Sequence, residues 1–569
     1  MLNPVQSHSA NSDDSVPRRH LLKLLAGVGA GGAVFQRAVA ALAQEAGRVT
    51  PEMIRQAEWI AGIELSEEER KAAATALAQS VRGWETMRAV ELENAVAPGV
   101  AFNAAPWQRP AEFARTTVEP IEAAAPKRPA DDDDLAFLPV TELAALVRTR
   151  QVTSTELTKL YLARLRRYDP VLRAVVTYTD DLALRQAEQA DREIAAGRYR
   201  GPLHGIPWGA KDLIGYPGYP TTWGATPFKE QQFAIKATVA QRLEEAGAVM
   251  LAKLSLGALA NGDRWFGGMT RSPWDSRQGS SGSSAGSAAT TAAGLVGFAI
   301  GSETLGSIVS PCRRCGVTGL RPTFGRVSRF GCMTLAWSMD KLGPIARSVE
   351  DCAIIFGAIH GFDGLDGTAV DRPFTWPPRR DIRSFKVGYI EGRTPADERD
   401  DLGVLRELGV QLVPIKLPDK FPVQPLTLIL NVEAATVFDS LTRAGITEGL
   451  NDWPRTFRNA RFVPAVEYLR ANRIRTLLMR EMERLMTEVD LYVGGNDLLI
   501  ANLTGHPTVV LPGSLHEQNG VMTPQSVTFT GRLFGETDLL AVAHAYQQAT
   551  GDHLRRPPME KLTEPEATG

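Results

Sequence analysis

From Leu135 onward the chain switches between two hydrophobic periods. "STELTKLYLARLRRYDP" (154–170) repeats apolar residues at three- and four-residue spacing, which predicts an amphipathic helix with Ser154 as its cap. "AVVTY" (174–178) and "AVMLAKL" (248–254) are short runs of apolar residues that predict buried strands. "TVAQRLEEAG" (238–247), between them, predicts a helix stopped by Gly247. "GPLHGIPWGAKDL" (201–213) reads as a strand leading to Lys211, and "LVGFAI" (295–300) reads as another. Short β-rich runs alternating with helices predict an α/β domain, a large mixed β-sheet covered by helices.

Upstream of that domain the texture differs. Within 44–96, Ser66-Glu67-Glu68-Glu69 opens a helix with a hydroxyl cap and acids in the first turn, and "RKAAATALAQSVRGWETMRAVELENAV" continues it. This is a small helical accessory module and a candidate homodimer contact. Residues 97–134 are rich in proline, alanine and aspartate and end in the acidic run 131–134. Such a stretch cannot bury enough apolar surface to stay compact alone, so it is a linker or a surface strap, with the acids solvated. The catalytic domain is expected over 135–560.

Residues 1–43 follow the order of an export signal. Arg18-Arg19 precede an apolar run, and small-residue cleavage sites follow at Ala38-Val39-Ala40 and Ala41-Leu42-Ala43. The run is shorter than the roughly 20 residues a membrane span requires. Adjacent arginines resemble a twin-arginine signal, which predicts an exported protein, periplasmic or secreted. Gly27, Gly29 and Gly32 match a dinucleotide-binding spacing, but no strand precedes them, so no nucleotide cofactor is expected.

Composition narrows the field further. Of 569 residues, 44% are hydrophobic and 22% charged, ordinary values for a globular chain. Lysine plus arginine (63) nearly balance aspartate plus glutamate (65), which gives no electrostatic case for nucleic acid. Four cysteines exclude a disulfide scaffold, and Cys312-x-x-Cys315 has no partner ligands at zinc spacing. They are expected to be buried thiols, with no metal.

"GSSGSSAGSAATTAAG" (279–294) holds only glycine, serine, alanine and threonine. Three readings compete. A flexible linker does not fit, because the run passes straight into the apolar "LVGFAI". A nucleophile turn around Ser284 matches G-x-S-x-G, but "SPWDSRQGSS" before it is polar, where that turn needs a strand. The third reading is a backbone cradle that something must approach closely. "GSETLGSIVSP" (301–311) supplies a second small-residue loop, and two such loops could converge their N–H groups on a developing oxyanion. Lys211 is a lone cation in apolar company, and a desolvated lysine loses its proton readily.

Together, "GPLHGIPWGAKD", "GSSGSSAGSAA", "GSETLGSIVSP", "CGVTGLRPTFGRVSRFG", "SMDKLGPIARSVED" and "ANLTGHPTVVLPG" resemble the amidase signature family, in the right order over roughly 135–550. The resemblance implies a mixed sheet with helices on both faces and hydrolysis of a carboxylic amide through a serine acyl-enzyme. It implies a triad in which Ser307 is the nucleophile, Ser283, after a cis peptide bond, relays its proton, and Lys211 is the base. It also implies oxyanion binding by the backbone of Thr304, Leu305, Gly306 and Ser307. No histidine belongs to that triad, so His204 is expected to cap a turn, and Ser284 and Ser287 to be hydrogen-bonding loop residues. The implied partner is a small-molecule amide substrate, with no cofactor. The alternatives are an α/β-hydrolase esterase using Ser284 and an amidotransferase-like glutaminase subunit. Three positions depart from the family pattern: Glu303 stands where Asp is usual, Leu305 where Gly is frequent, and Val309 where many members carry Arg. They put the support of the nucleophile loop and the acyl pocket in question. Trp223, Trp265 and Phe266 are candidate pocket walls.

Overall fold

Strands buried at every position, rather than at alternate ones, form the centre of the sheet. Successive side chains of a strand point to opposite faces, so a strand buried throughout must be covered on both. Pro207–Lys211, Val249–Leu254 and Lys341–Ala346 are buried at every residue. The computed structural model describes residues 49–92, 99–100, 116–120, 126–391, 400–494, 497–518 and 520–562. Residues 1–43, expected to be an export signal, and the glycines at 27, 29 and 32 lie outside them, as does most of 97–125.

The chain separates into two units, Met1–Glu58 with Leu65–Gln79, and Trp59–Glu64 with Ser80–Gly569. In the first, Ser66 and Glu69 form the expected reciprocal cap: the Glu69 N–H donates to Ser66 Oγ and the Ser66 N–H to Glu69 Oε2. Arg70 pairs with Glu58 at 2.7 Å.

The second unit is built on an eleven-stranded mixed sheet. Its strands are β1 (Val175–Tyr178), β2 (Pro207–Lys211), β3 (Val249–Leu254), β4 (Phe298–Glu303), β5 (Thr318–Arg321), β6 (Lys341–Ala346), β7 (Lys386–Ile390), β8 (Gln411–Ile415), β9 (Leu491–Gly494), β10 (Thr508–Gln518) and β11 (Val521–Gly531). Their spatial order is β8-β7-β9-β11-β10-β5-β6-β4-β2-β3-β1. β2 runs parallel to both β3 and β4, whereas β4 is antiparallel to β6 and β6 to β5. The expected α/β sheet is therefore present, and the predicted strands at 175–178, 207–211 and 249–254 fall where expected.

Two features differ from expectation. The helix α1 (Ser154–Leu172) is capped by Thr153, not Ser154: Thr153 and Glu156 form the capping box, while the Ser154 hydroxyl donates to Gly205 O. The acidic run is exposed but partnered. Asp131 caps a short helix, Asp132–Ala136, Asp133 pairs with Arg164, and Asp134 pairs with Arg556. Thr117–Val118 pairs in parallel with Thr375 and Trp376, the behaviour of a surface strap.

Two helices carry the small-residue loops: α2 (Ala285–Ala292) and α3 (Val309–Cys315). They share a small core of Ala288, Ala289, Ile308, Val309, Cys312 and Cys315. Cys312 and Cys315 are free, buried thiols, as their spacing predicted.

Candidate active site

Lys211 is the last residue of β2, and the neighbouring β4 ends at Glu303, so both parallel strands deliver their carboxyl ends to one edge. That edge is where open α/β sheets place ligands. The Lys211 side chain is fully buried. Its Nζ lies 2.8 Å from Ser283 Oγ, 2.9 Å from Ser302 Oγ, 3.0 Å from Ser284 Oγ and 3.3 Å from Ser302 O. Burial pushes its pKa down from 10.5 to about 7, against the opposing pull of the Asp340 and Glu303 carboxylates. A lysine in that state exchanges between ammonium and free amine near neutrality.

The run 279–294 is packed rather than flexible. Among its residues, Ser280, Ser283, Ser284 and all of α2 are buried. The Gly282–Ser283 peptide bond is cis. A Cβ on Gly282 would lie 1.9 Å from Gly262 O, and one on Gly286 would lie 2.6 Å from Ala174 O and from Ser255 N. Small residues here are dictated by backbone that approaches from the 262 loop and from β1's entry. Ser284 caps no helix N–H. Its hydroxyl instead bridges Lys211 and the Ser302 backbone, accepting from Ser302 N–H and donating to Ser302 O, both at 3.1 Å. Ser287 donates to Ile300 O. Both are hydrogen-bonding residues, as expected.

Ser307 follows β4 in the loop that opens α3. Its carbonyl accepts from the Ser284 N–H at 3.0 Å, which ties the two serine loops together. The N–H groups of Leu305, Gly306 and Ser307 donate to no protein acceptor among the described residues. Those of Ile308 and Val309 are taken by Glu303 Oε2, at 2.8 and 3.0 Å. Its other oxygen accepts from Arg321 Nη1 at 2.7 Å and from Asn502 Nδ2 at 2.8 Å. Burial alone would push the Glu303 carboxyl up; the Arg321 and Lys341 cations, with hydrogen bonds from Arg321 and the Val309 N–H, together outweigh it and hold the group down to about 2.

Two of the departures noted in the sequence, Glu303 and Val309, thus meet in one network. Arg321, at the end of β5, pairs its guanidinium with Glu303, and Val309 contributes its backbone N–H to the same carboxylate. Arg321 is itself anchored to His506 O and Thr508 Oγ1, both at 2.6 Å.

Lys211 and Ser283 are in direct contact, and Ser307 joins them through the backbone. Sequence reasoning passed over Ser302, Asp340, Lys341 and Asn502, all within this network. Ser302 stands in the quoted loop motif, but only the register of β4 against β2 turns its hydroxyl toward Lys211. His204 accepts from the Arg200 N–H at 3.1 Å and stays out of the site. Trp223 packs among Phe228, Phe233 and Phe438, and Trp265 against Phe266.

Comparison with known proteins agrees with this architecture. The family model described as Amidase matches residues 156–509. A glutamyl-tRNA(Gln) amidotransferase subunit from Chloroflexus aurantiacus is 34% identical over 485 residues, 74% of this chain and 99% of that protein. A putative amidase from Mycobacterium bovis is 34% identical over 476 residues, covering 77% of this chain and 99% of that one. The solved structure of native peptide amidase from Stenotrophomonas maltophilia superposes with a TM-score of 0.63 at 30% identity, over 74% of this chain and 98% of that one. With the family model spanning most of the sheet and both serine loops, the chain belongs to the amidase signature family of amide-bond hydrolases.

Proposed function

We propose that this protein cleaves a carboxylic amide through an acyl-enzyme on Ser307, with Ser283 as proton relay and Lys211 as base. The observation that carries this is the 2.8 Å contact between the buried Lys211 Nζ and Ser283 Oγ. As a free amine, Lys211 accepts the Ser283 proton while Ser283 takes the proton of Ser307 Oγ, which bonds to the amide carbon. The carbonyl oxygen becomes an oxyanion held by the backbone N–H groups of Thr304, Leu305, Gly306 and Ser307. Losing one such donor typically costs about 3–4 kcal/mol. The C–N bond then breaks, and the leaving nitrogen takes its proton back from Lys211 through Ser283. Water, deprotonated by the same relay, releases the acyl group as a carboxylate.

The substrate we infer is a small-molecule amide, not an internal peptide bond. Support comes from the closed surroundings of the catalytic serines: Ser283 is 1% exposed and Ser307 9%, which leaves little room for an extended chain on both sides. The relative named as an amidotransferase component favours a second reading, a glutaminase half-reaction. The esterase reading on Ser284 is disfavoured because its hydroxyl is held by Lys211 and Ser302.

Fluorophosphonate labelling with mass-spectrometric localisation tests the triad. Modification at Ser307 is expected, and modification at Ser284 would overturn the assignment. Ammonia release from acyl amides, peptide C-terminal amides and glutamine then separates the substrate readings. Export by the twin-arginine route and a homodimer through 44–96 remain proposals from the sequence, tested by fractionation and by light scattering. No helix among the described residues is long and apolar enough to cross a membrane.

A further inference from the structure

The oxyanion-binding loop is gripped from a side the triad does not use. At the start of β6, Asp340 and Lys341 both reach Thr304, the first residue after β4. The Thr304 hydroxyl donates to Asp340 Oδ1 at 2.6 Å, and Lys341 Nζ donates to Thr304 O at 3.4 Å. Both side chains are buried. Asp340 is fixed through its other oxygen, which accepts from the Leu335 and Ala336 N–H groups at 2.7 and 3.0 Å. Lys341 is fixed by Asn502 Oδ1 at 2.7 Å, and Asn502 in turn donates to Glu303. Thr304, Asp340 and Lys341 border a small cavity with Leu213, Ser302 and Leu335.

The geometry has one direct consequence. The Thr304–Leu305 peptide is trans, so its C=O and N–H point to opposite sides. Whatever fixes Thr304 O therefore fixes where the Leu305 N–H points. We propose that Asp340 and Lys341 are positioning residues that, by holding the hydroxyl and carbonyl of Thr304, aim the Leu305 N–H at the reacting carbonyl. The inference rests on the assignment of Ser307 as nucleophile. It adds that the oxyanion site is aligned by a buried amine, not by the loop's own conformation alone. Asp340 has a second effect, because its carboxylate, with that of Glu303, supports the charged form of Lys211, while Lys341 has no such role.

Labelling of wild-type Ser307 by a fluorophosphonate comes first, and its failure would sink the nucleophile assignment and not this inference alone. With Ser307 labelled, Lys341→Met should lower kcat about 100-fold with KM within about threefold, the signature of a lost oxyanion donor. Its acid limb should stay in place. Lys341→Gln keeps a donor for Thr304 O and should recover about tenfold of the loss. Asp340→Asn should lower kcat and also move the acid limb to lower pH, because Lys211 loses a nearby negative charge. A folded Lys341→Met variant with kcat within twofold of wild type would overturn the proposal. Should that variant fail to fold, Lys341→Gln and Asp340→Asn decide it: equal KM and reduced kcat in both support the proposal, and unchanged kcat in both removes it.

Discussion

Gly282 and Gly262 meet backbone to backbone, so closely that a Cβ added to Gly282 would lie 1.9 Å from the Gly262 carbonyl oxygen. That single contact explains much of the small-residue run, because it leaves no space for a side chain at the residue before Ser283. Gly282→Ala must displace one of the two loops. Overpacking typically costs about 1–3 kcal/mol, and here the opposing atom is backbone of the 262 loop, so relief must shift either that loop or the one that carries Ser283. A lower melting temperature and loss of fluorophosphonate labelling at Ser307 are expected; a variant that keeps full labelling would show that the loops can separate without harm.

On the proposed mechanism, the proton affinity of Lys211 sets the pH dependence of the reaction. The free amine is the active form and its pKa lies at about 7, so kcat/KM should fall about tenfold per pH unit below about 7 and level off above it. A pH–rate profile over 5 to 9 checks this.

The same shift has a consequence for stability, with the sign fixed by linkage. The folded pKa is about 7 against 10.5 for an ordinary lysine, so between those values the unfolded chain binds the extra proton. Folding therefore becomes more favourable as pH rises through that window. Below about pH 7, Lys211 is charged in both states and the burial penalty stands in full. Lys211→Met removes the titration, so its melting temperature relative to wild type should be highest near pH 6 and decline toward pH 10. A constant difference across that range would count against a depressed Lys211.

Glu303 and Arg321 form a fully buried ion pair at 2.7 Å. Removing the charge from one partner leaves the other uncompensated, which typically costs about 3–5 kcal/mol. Glu303→Gln should therefore show a large drop in denaturation midpoint, and slower labelling of Ser307 because the Ile308 and Val309 N–H groups lose a carboxylate acceptor. Chemical denaturation of the variant beside wild type measures the first effect, and a labelling time course the second.

Thr153 and Glu156 close the capping box of α1, far in sequence from the triad. Thr153→Ala should cost about 1 kcal/mol, the usual effect of losing such a cap, and leave kcat and KM unchanged. It is a control that separates loss of stability from loss of the site.

The sequence by itself determined the α/β class, the buried strands, the helix stop at Gly247 and the family motifs that single out Lys211, Ser283 and Ser307. Each rests on local chemistry: a period, a cap, a glycine, a short motif. Ser154 reads as a cap because Thr153 and Ser154 are adjacent hydroxyls, and only the position of Glu156 relative to the helix start separates them. The departures at 303, 305 and 309 are visible in the sequence but have no meaning there. The meaning of Glu303 and Val309 depends on Arg321 and Asn502, which lie 18 and 199 residues from Glu303 and meet it only in the folded chain, Arg321 reaching it from β5 past the intervening β6. Ser302, Asp340 and Lys341 stand in the quoted motifs, but their contacts are not legible there for the same reason. A hydrogen bond across a sheet is set by register, and register is a property of the folded chain.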